Sequence, residues 1–283
     1  MKKTLFSLAI ALSLPLSAHD RFGDVEIKTQ AVSESVYMLT GMGGNIGISI
    51  GDDGVLIIDD QFEPLAVKIT EAIKAISDSK IKYVVNTHYH GDHTGANAWF
   101  KKVEDATIFA HDNVRHRLQQ DEKMDAAGWP VVTYEQGVKF HFNGDTIHVR
   151  HRPNSHTDGD SFVLFEQQNV IHAGDLLFNK LFPYIDLDAG GTIAGYMGSL
   201  QAMIDASDDE TKIIAGHGEM ASKADLKTNL HMLKSTAAAV KTMKDSGMSL
   251  EACVEKGLDE EWASWSWSFI DSERWISTLY KGQ

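Results

Sequence analysis

Hydrophobic and polar positions along this chain follow two periods, and the change from one to the other marks out its elements. Short β-type runs come first, at 25–28, 36–39, 46–50 and 55–58, separated by turns at 41–44 and at Asp52-Asp53-Gly54. Pro64 then opens a helix over 64–76, whose apolar stripe is Leu65, Ile69, Ala72, Ile73 and Ile76. A buried strand at 81–86, a short helix at 94–100, a strand at 106–110 and a helix at 112–124 follow, with Asp112 placed as the cap of the last. The second half repeats the theme. Strands are predicted at 138–142, 146–151, 161–165 and 169–173, the first two joined by an Asn143-Gly144 turn. A helix at 193–206, a strand at 212–215 and a largely helical tail from Ser222 complete the pattern. Strands followed by helices twice over predict an α/β (α+β) chain with two β-rich sheets face to face and helices outside.

The N-terminus departs from this pattern. Lys2 and Lys3, an apolar stretch from Leu5 to Leu14, Pro15, and the small residues Ser17 and Ala18 read as a secretory signal peptide over 1–18, leaving 19–283 as the mature chain. The apolar run is too short for a transmembrane helix, so no stable membrane anchor is expected after cleavage, and the expected destination is periplasmic or secreted. Loss of the two lysines takes the formal charge from −14 to −16. Such a surface repels polyanions and argues against nucleic acid as a partner, which leaves a small-molecule substrate. The single cysteine, Cys253, excludes an intrachain disulfide. No linker or low-complexity break divides the mature chain, and nothing in it sets an oligomeric state.

The densest chemistry lies at His88-Tyr89-His90-Gly91-Asp92-His93, four potential metal ligands in six residues. On a helix His88 and His90 would point about 200° apart, so the motif needs a strand end or loop. His156 follows in a polar, turn-rich loop, Asp175 comes after Ile171-His172-Ala173-Gly174, and His217 stands between Gly216 and Gly218. Each lies past the C-terminal end of a β run, and strand ends of one sheet converge in space. Five imidazoles and two carboxylates suit two borderline cations: zinc first, with iron or manganese as alternatives.

The H-x-H-x-D-H motif, the later His-Thr-x-Gly, the Gly-Asp after a strand and the Gly-His-Gly together resemble the metallo-β-lactamase superfamily over about 25–220, with 221–283 as a helical tail. The resemblance implies a four-layer αββα sandwich with a binuclear zinc site at one edge. It implies that His88, His90 and His156 hold one ion and Asp92, His93 and His217 the other, with Asp175 bridging. Asp59, at the end of an early strand, would support the metal loop. Two zinc ions roughly 3.5–4 Å apart would bring the pKa of a shared water from about 15.7 toward about 7. Asp92 would then act as the catalytic residue, holding the hydroxide and passing a proton to the leaving group of an ester, lactone, thioester or amide (β-lactam) bond. Two alternatives stand beside this reading. One is a β-lactamase proper, which export favours and the ligand set opposes; the other is a mononuclear iron persulfide dioxygenase, in which His90, His93 and His217 would hold no ion.

Other features admit two readings. Asn179, Lys180 and Tyr184 fall on a loop beside the expected metals, where Lys180 could meet a substrate carboxylate and Tyr184 or Asn179 an oxyanion, or where all three are solvated. Gly41 to Gly44 either forms a hairpin over the substrate or a permissive turn. Trp262, Trp265, Trp267 and Trp275 are expected to pack the tail on the sandwich rather than to wall the substrate. His111, His116, His141, His148, His151, His172 and His231 are read as structural or exposed, and Cys253 as a small buried apolar residue.

Overall fold

A computed structural model describes residues 20–283. The signal peptide read at 1–18 therefore lies outside the described residues. After a four-residue turn of helix, α1 (Asp20–Gly23), seven strands form the first sheet in simple order: β1 (Lys28–Ala31), β2 (Val36–Thr40), β3 (Ile46–Gly51), β4 (Gly54–Ile58), β5 (Ile81–Val85), β6 (Thr107–His111) and β7 (Val132–Tyr134). The first four are antiparallel, and β4 to β7 run parallel. The second sheet holds β8 (Gly137–Phe142), β9 (Asp145–His151), β10 (Ser161–Phe165), β11 (Val170–His172), β12 (Lys212–Ile214) and β13 (Ala221–Ser222), in the order β13-β12-β11-β10-β9-β8.

Strand β4 shows why the chain builds four layers. Its residues are buried on both faces, so its apolar run is continuous rather than alternating. Leu56 and Ile58 turn inward onto Phe140, Ile147, Val163 and Ile214 of the second sheet. Val55 and Ile57 turn outward onto Leu65, Ile69 and Ile73, which begin and line α2 (Ala66–Lys74). The second sheet repeats the arrangement: Phe162, Ile171 and Ile213 pack under α6 (Ile193–Asp205), α7 (Lys223–Asp245) and α8 (Ser272–Lys281). Truncating a residue of the middle layer such as Leu56 to Ala would cost about 2–5 kcal/mol. This is the four-layer αββα sandwich with a helical tail that the sequence predicts. No helix among the described residues is long and apolar enough to cross a membrane.

Local boundaries differ from the sequence reading for identifiable reasons. The first strand lies at Lys28–Ala31 instead of 25–28; all four of its residues are exposed, so backbone pairing with β2 places it and no hydrophobic alternation reports it. The helix after the histidine motif divides into α3 (Gly91–Thr94) and α4 (Asn97–Val103). At the break, Gly95 packs so tightly that a β-carbon would lie 2.5 Å from the Gly91 carbonyl and 2.8 Å from that of Gln61. Helix α5 (Asp112–Gln120) is capped by His111, whose Nδ1 accepts from the Asn113 amide, so Asp112 is its first helical residue rather than its cap. The short strands β7 and β13 carry too little pattern to be read.

Candidate metal centre

The first sheet builds its side of the site at the ends of two adjacent parallel strands, β4 and β5. Past β4 the chain enters a strained corner in which Asp59 and Gln61 both adopt left-handed backbone (φ 64° and 58°). Past β5 comes the histidine motif, with α3 starting inside it. The second sheet contributes His156 from the β9–β10 loop, Asp175 from a 3-10 turn after β11, and His217 after β12. The two sets meet at one sandwich edge, in two groups: His88, His90, His156 and Asp175, and Asp92, His93 and His217. Within each group the ligand atoms lie within 4.8 Å of one another. Asp175 faces both: Oδ2 is 3.5 Å from His156 Nε2 and 3.7 Å from His88 Nε2, while Oδ1 is 3.1 Å from His93 Nε2 and 3.4 Å from His217 Nε2.

Hydrogen bonds on the outer side of the rings fix which nitrogen faces inward. Thr87 Oγ1 donates to Asp59 Oδ2, so it can only accept from His88 Nδ1, 3.1 Å away, which leaves the lone pair on His88 Nε2. His156 Nδ1 donates to the Tyr184 carbonyl at 2.7 Å, leaving Nε2 bare. His90 turns the other way: Nε2 donates to Asp186 Oδ2 at 3.1 Å, and Nδ1 points inward. Those three inward nitrogens stand only 3.1 Å (His88–His90) and 2.8 Å (His90–His156) apart. His93 Nδ1 donates to Asp59 Oδ2 at 2.8 Å, which again turns Nε2 inward. Lone pairs so close repel unless a cation sits among them. His93 Nε2 and Asp175 Oδ1 are buried and make no hydrogen bond of good geometry. Orphaned acceptors of this kind, in a His/Asp donor set, fit a divalent metal.

Electrostatics set the two groups apart: His88 and His156 are pushed down, whereas His93 and His217, the latter to about 9, are pushed up against burial by carboxylates whose charge a bound cation would otherwise neutralise. Burial, reinforced by the neighbouring imidazole of His93, holds His88 well below the usual histidine range, and burial with His90 pushes His156 down to about 3. Both are therefore neutral, as metal ligands must be. Burial acts in the same direction on His93, but Asp175, Asp92 and Asp59 outweigh it and raise that ring well above the usual range. The two carboxylates facing the pocket are driven toward the ionised form: burial opposes, but His93 and the other surrounding imidazoles hold Asp175 well below and Asp92 below the carboxylate range.

Asp59 sits behind the histidine motif, in contact with Thr87 and His93. Fully buried, it accepts from the Thr87 amide at 2.7 Å, from Thr87 Oγ1 and from His93. Sequence reasoning missed Asp186 and Tyr89. The Tyr89 hydroxyl donates to Asp186 Oδ2 at 2.7 Å, the same oxygen that holds His90, and Arg117 lies over the Tyr89 ring while forking onto Asp158. No local signal marks Asp186, since 97 residues of chain separate it from Tyr89. Asn45, also missed, ties the two halves: its side chain donates to the carbonyls of Ala215 and Gly218, and its amide to that of Gly216.

The metal edge opens into a cleft of about 810 Å³, walled by Met42, Phe62, Phe178, Tyr184, Trp267 and Phe269. Of the three substrate-side residues read from sequence, only Tyr184 lines it. Lys180 pairs with Asp225 at 3.1 Å, and buried Asn179 donates to the Glu219 carbonyl, so both are turned to other tasks. Met42 and Gly43 of the glycine-rich turn do border the cleft, and Gly44 packs on His93. The tail reading is corrected in part: Trp262, Trp265 and Trp275 are buried packing residues, whereas Trp267 walls the cleft. His172 is buried against the Asn45 carbonyl, His148 pairs with Glu166, and Cys253 is buried.

The family model described as metallo-beta-lactamase superfamily matches residues 39–217, more than half of the chain. The chain belongs to that superfamily. A relative named beta-lactamase-like protein 2 homolog, from Caenorhabditis elegans, is 22% identical over 222 residues, 76% of this chain and 71% of the relative. A hydroxyacylglutathione hydrolase from Pelagibacter ubique is 28% identical over 151 residues, 51% of this chain and 56% of that one. Among solved structures, a metallo-beta-lactamase from Pontibacter korlensis superposes with a TM-score of 0.64 at 19% identity, over 74% of this chain and 99% of the other, a likeness of fold. Superfamily membership and the His/Asp cluster together support a metal-dependent hydrolase acting on a small molecule.

Proposed function

We propose that this chain is an exported hydrolase holding two zinc ions and cleaving an ester, lactone, thioester or amide bond of a small molecule. The observation that carries the reading is the set of outer hydrogen bonds that aims the bare nitrogens of His88, His90, His156 and His93 at shared points, with one oxygen of Asp175 directed to each group. His88, His90 and His156 would hold one ion, Asp92, His93 and His217 the other, with Asp175 between them. When bound, such a pair supplies a nucleophile from water at neutral pH and polarises the bond to be cut.

The chain's own groups do the rest. Asp92 Oδ2, 3.3 Å from His217 Nε2 and partly open to the cleft, is held ionised, so it can take a proton from the attacking water and return it to the leaving group. Asp59 and Asp186 hold His93 and His90 against rotation, which keeps the donor set organised before substrate arrives. The likeness to a hydroxyacylglutathione hydrolase supports trying thioesters first.

Elemental analysis of the mature protein is expected to find two zinc per chain, with turnover in a screen of thioesters, lactones, esters and β-lactams. Asp92→Ala should abolish that turnover while the fold persists. One iron per chain with oxygen consumption on a persulfide would overturn the hydrolase reading. Export is checked by N-terminal analysis of the protein from its native cells, which should begin near His19.

A further inference from the structure

Most of the cleft wall lies within the matched residues 39–217, but Arg21, Trp267, Ser268 and Phe269 come from segments outside them. After the Glu260–Trp265 turn the chain passes over the metal edge, and Trp267 is pinned there by donating Nε1 to the Phe182 carbonyl at 2.9 Å. From this point an aromatic row leads away from the ligand candidates. Phe178 stacks on His217 at 4.9 Å between centroids and 12° between planes, Trp267 lies 5.9 Å from both, and Phe269 is 5.6 Å from Trp267 and 5.5 Å from Tyr184. Phe269 is 46% exposed, and the other exposed large apolar residues of the described chain are all valines. Its position is braced: Arg274 donates to the Phe269 carbonyl at 2.9 Å, with its guanidinium 4.2 Å from the Phe269 ring centre. An exposed phenylalanine held this firmly at a pocket mouth is a surface kept open for contact.

Beside Phe62 the cleft brings the opposite chemistry. Arg21, from α1, lines the cleft with its guanidinium 4.6 Å from the Phe22 ring and 5.5 Å from that of Phe62. No ion pair to an acidic side chain is found for it among the described residues. A cation stacked on two rings at the edge of an apolar cleft, in a chain of net charge −14, is placed to meet an anion. The cleft volume of about 810 Å³ is that of a small-molecule site.

We infer that the site selects substrates bearing a ring-sized apolar group, received by Trp267 and Phe269, and a carboxylate or similar anion at its outer end, received by Arg21. This rests on the hydrolase reading for what is then done to the substrate, but the binding preference can be measured without turnover. Phe269 and Arg21 are specificity residues, and Arg274 positions Phe269.

The test is binding of three inert probes, 4-phenylbutyrate, butyrate and the neutral 4-phenylbutyramide, to the metal-loaded mature protein by calorimetry, followed by hydrolysis of matched aryl and acetyl thioesters. The wild type is expected to bind 4-phenylbutyrate at least ten-fold more tightly than either of the others. Phe269→Ala, a change at an exposed side chain, should reduce the aromatic-over-aliphatic preference at least five-fold, and Arg21→Gln should erase the acid-over-amide preference while the aromatic one stays. Equal binding of the aromatic and aliphatic acids by the wild type would overturn the aromatic wall. An acid preference that survives in Arg21→Gln would mean the anion is held by the metals, overturning the role of Arg21. Selective binding with no hydrolysis of any ester would leave this selection standing and sink the hydrolase reading instead.

Discussion

Asp186 Oδ2 lies 3.1 Å from His90 Nε2 and makes His90 the histidine of the site that presents Nδ1 rather than Nε2 to its neighbours His88 and His156. Burial alone would raise this carboxyl, yet hydrogen bonds from His90 and Tyr89 hold it far below the usual carboxylate range. Asp186→Asn can turn an amide N–H toward the ring and release the tautomer. Metal affinity, measured by competition with a chromogenic chelator, is expected to fall about 10–100-fold. Tyr89→Phe removes only the second bond to that oxygen and should fall less. Unchanged affinity in Asp186→Asn would show that packing alone orients His90.

Asp59 is buried with three donors on its two oxygens. Replacing it with Ala strands the Thr87 amide and frees His93, and the expected destabilisation is about 3–5 kcal/mol in denaturant titration. The better-behaved Asp59→Asn should keep the fold and lose the metal at the His93 side first, leaving near one equivalent per chain. Full loading would refute the orienting role.

Gly44 is needed for space rather than for backbone freedom. A β-carbon there would stand 2.1 Å from His93 Cε1 and 2.4 Å from Nε2. His93 cannot retreat, since Asp59 fixes its far side. Gly44→Ala is therefore expected to cut activity by at least 100-fold with little loss of secondary structure by circular dichroism; near-normal turnover would show that the turn can shift.

Chelation should lower the melting temperature. The converging lone pairs and carboxylates cost stability when no cation offsets them, and ligand at about 1,000 times its Kd stabilises by about 4 kcal/mol. A melting curve insensitive to a strong chelator, with activity lost, would separate catalysis from stability.

Outside the ligand set, His151 and Asp160 give opposite pH slopes. Burial and the His111 ring stacked at 3.6 Å push His151 down to about 4, so the unfolded chain binds more protons there and stability rises from pH 4 to about 6.5. Burial pushes Asp160 up to about 7, so the folded chain binds the extra proton and stability falls over pH 4 to 7. In His151→Gln the Asp160 slope is unopposed. The wild type's stability advantage over that variant should therefore grow with pH up to about 6.5, while its advantage over Asp160→Asn should shrink. Flat difference curves would deny both shifts.

Much of the sandwich was legible because its strands are buried on both faces or alternate cleanly, as β4 and β9 do. The seven ligand candidates were legible because each sits past a strand end in a distinctive local string. Asp186, Asn45 and Arg21 were not, because each acts through partners distant in sequence or in another element, and no period or motif encodes that. Lys180 misled for the same reason: a loop lysine near the site has no local sign that Asp225, 45 residues on, claims it.

Asn45 spans the seam where the two sheets meet, with its amide, side chain and carbonyl all committed to the far sheet. Each sheet alone carries only part of the cation-gripping set. A nascent chain with one half organised would lack the full donor set, so metal capture during refolding is expected to report the moment at which the halves clasp.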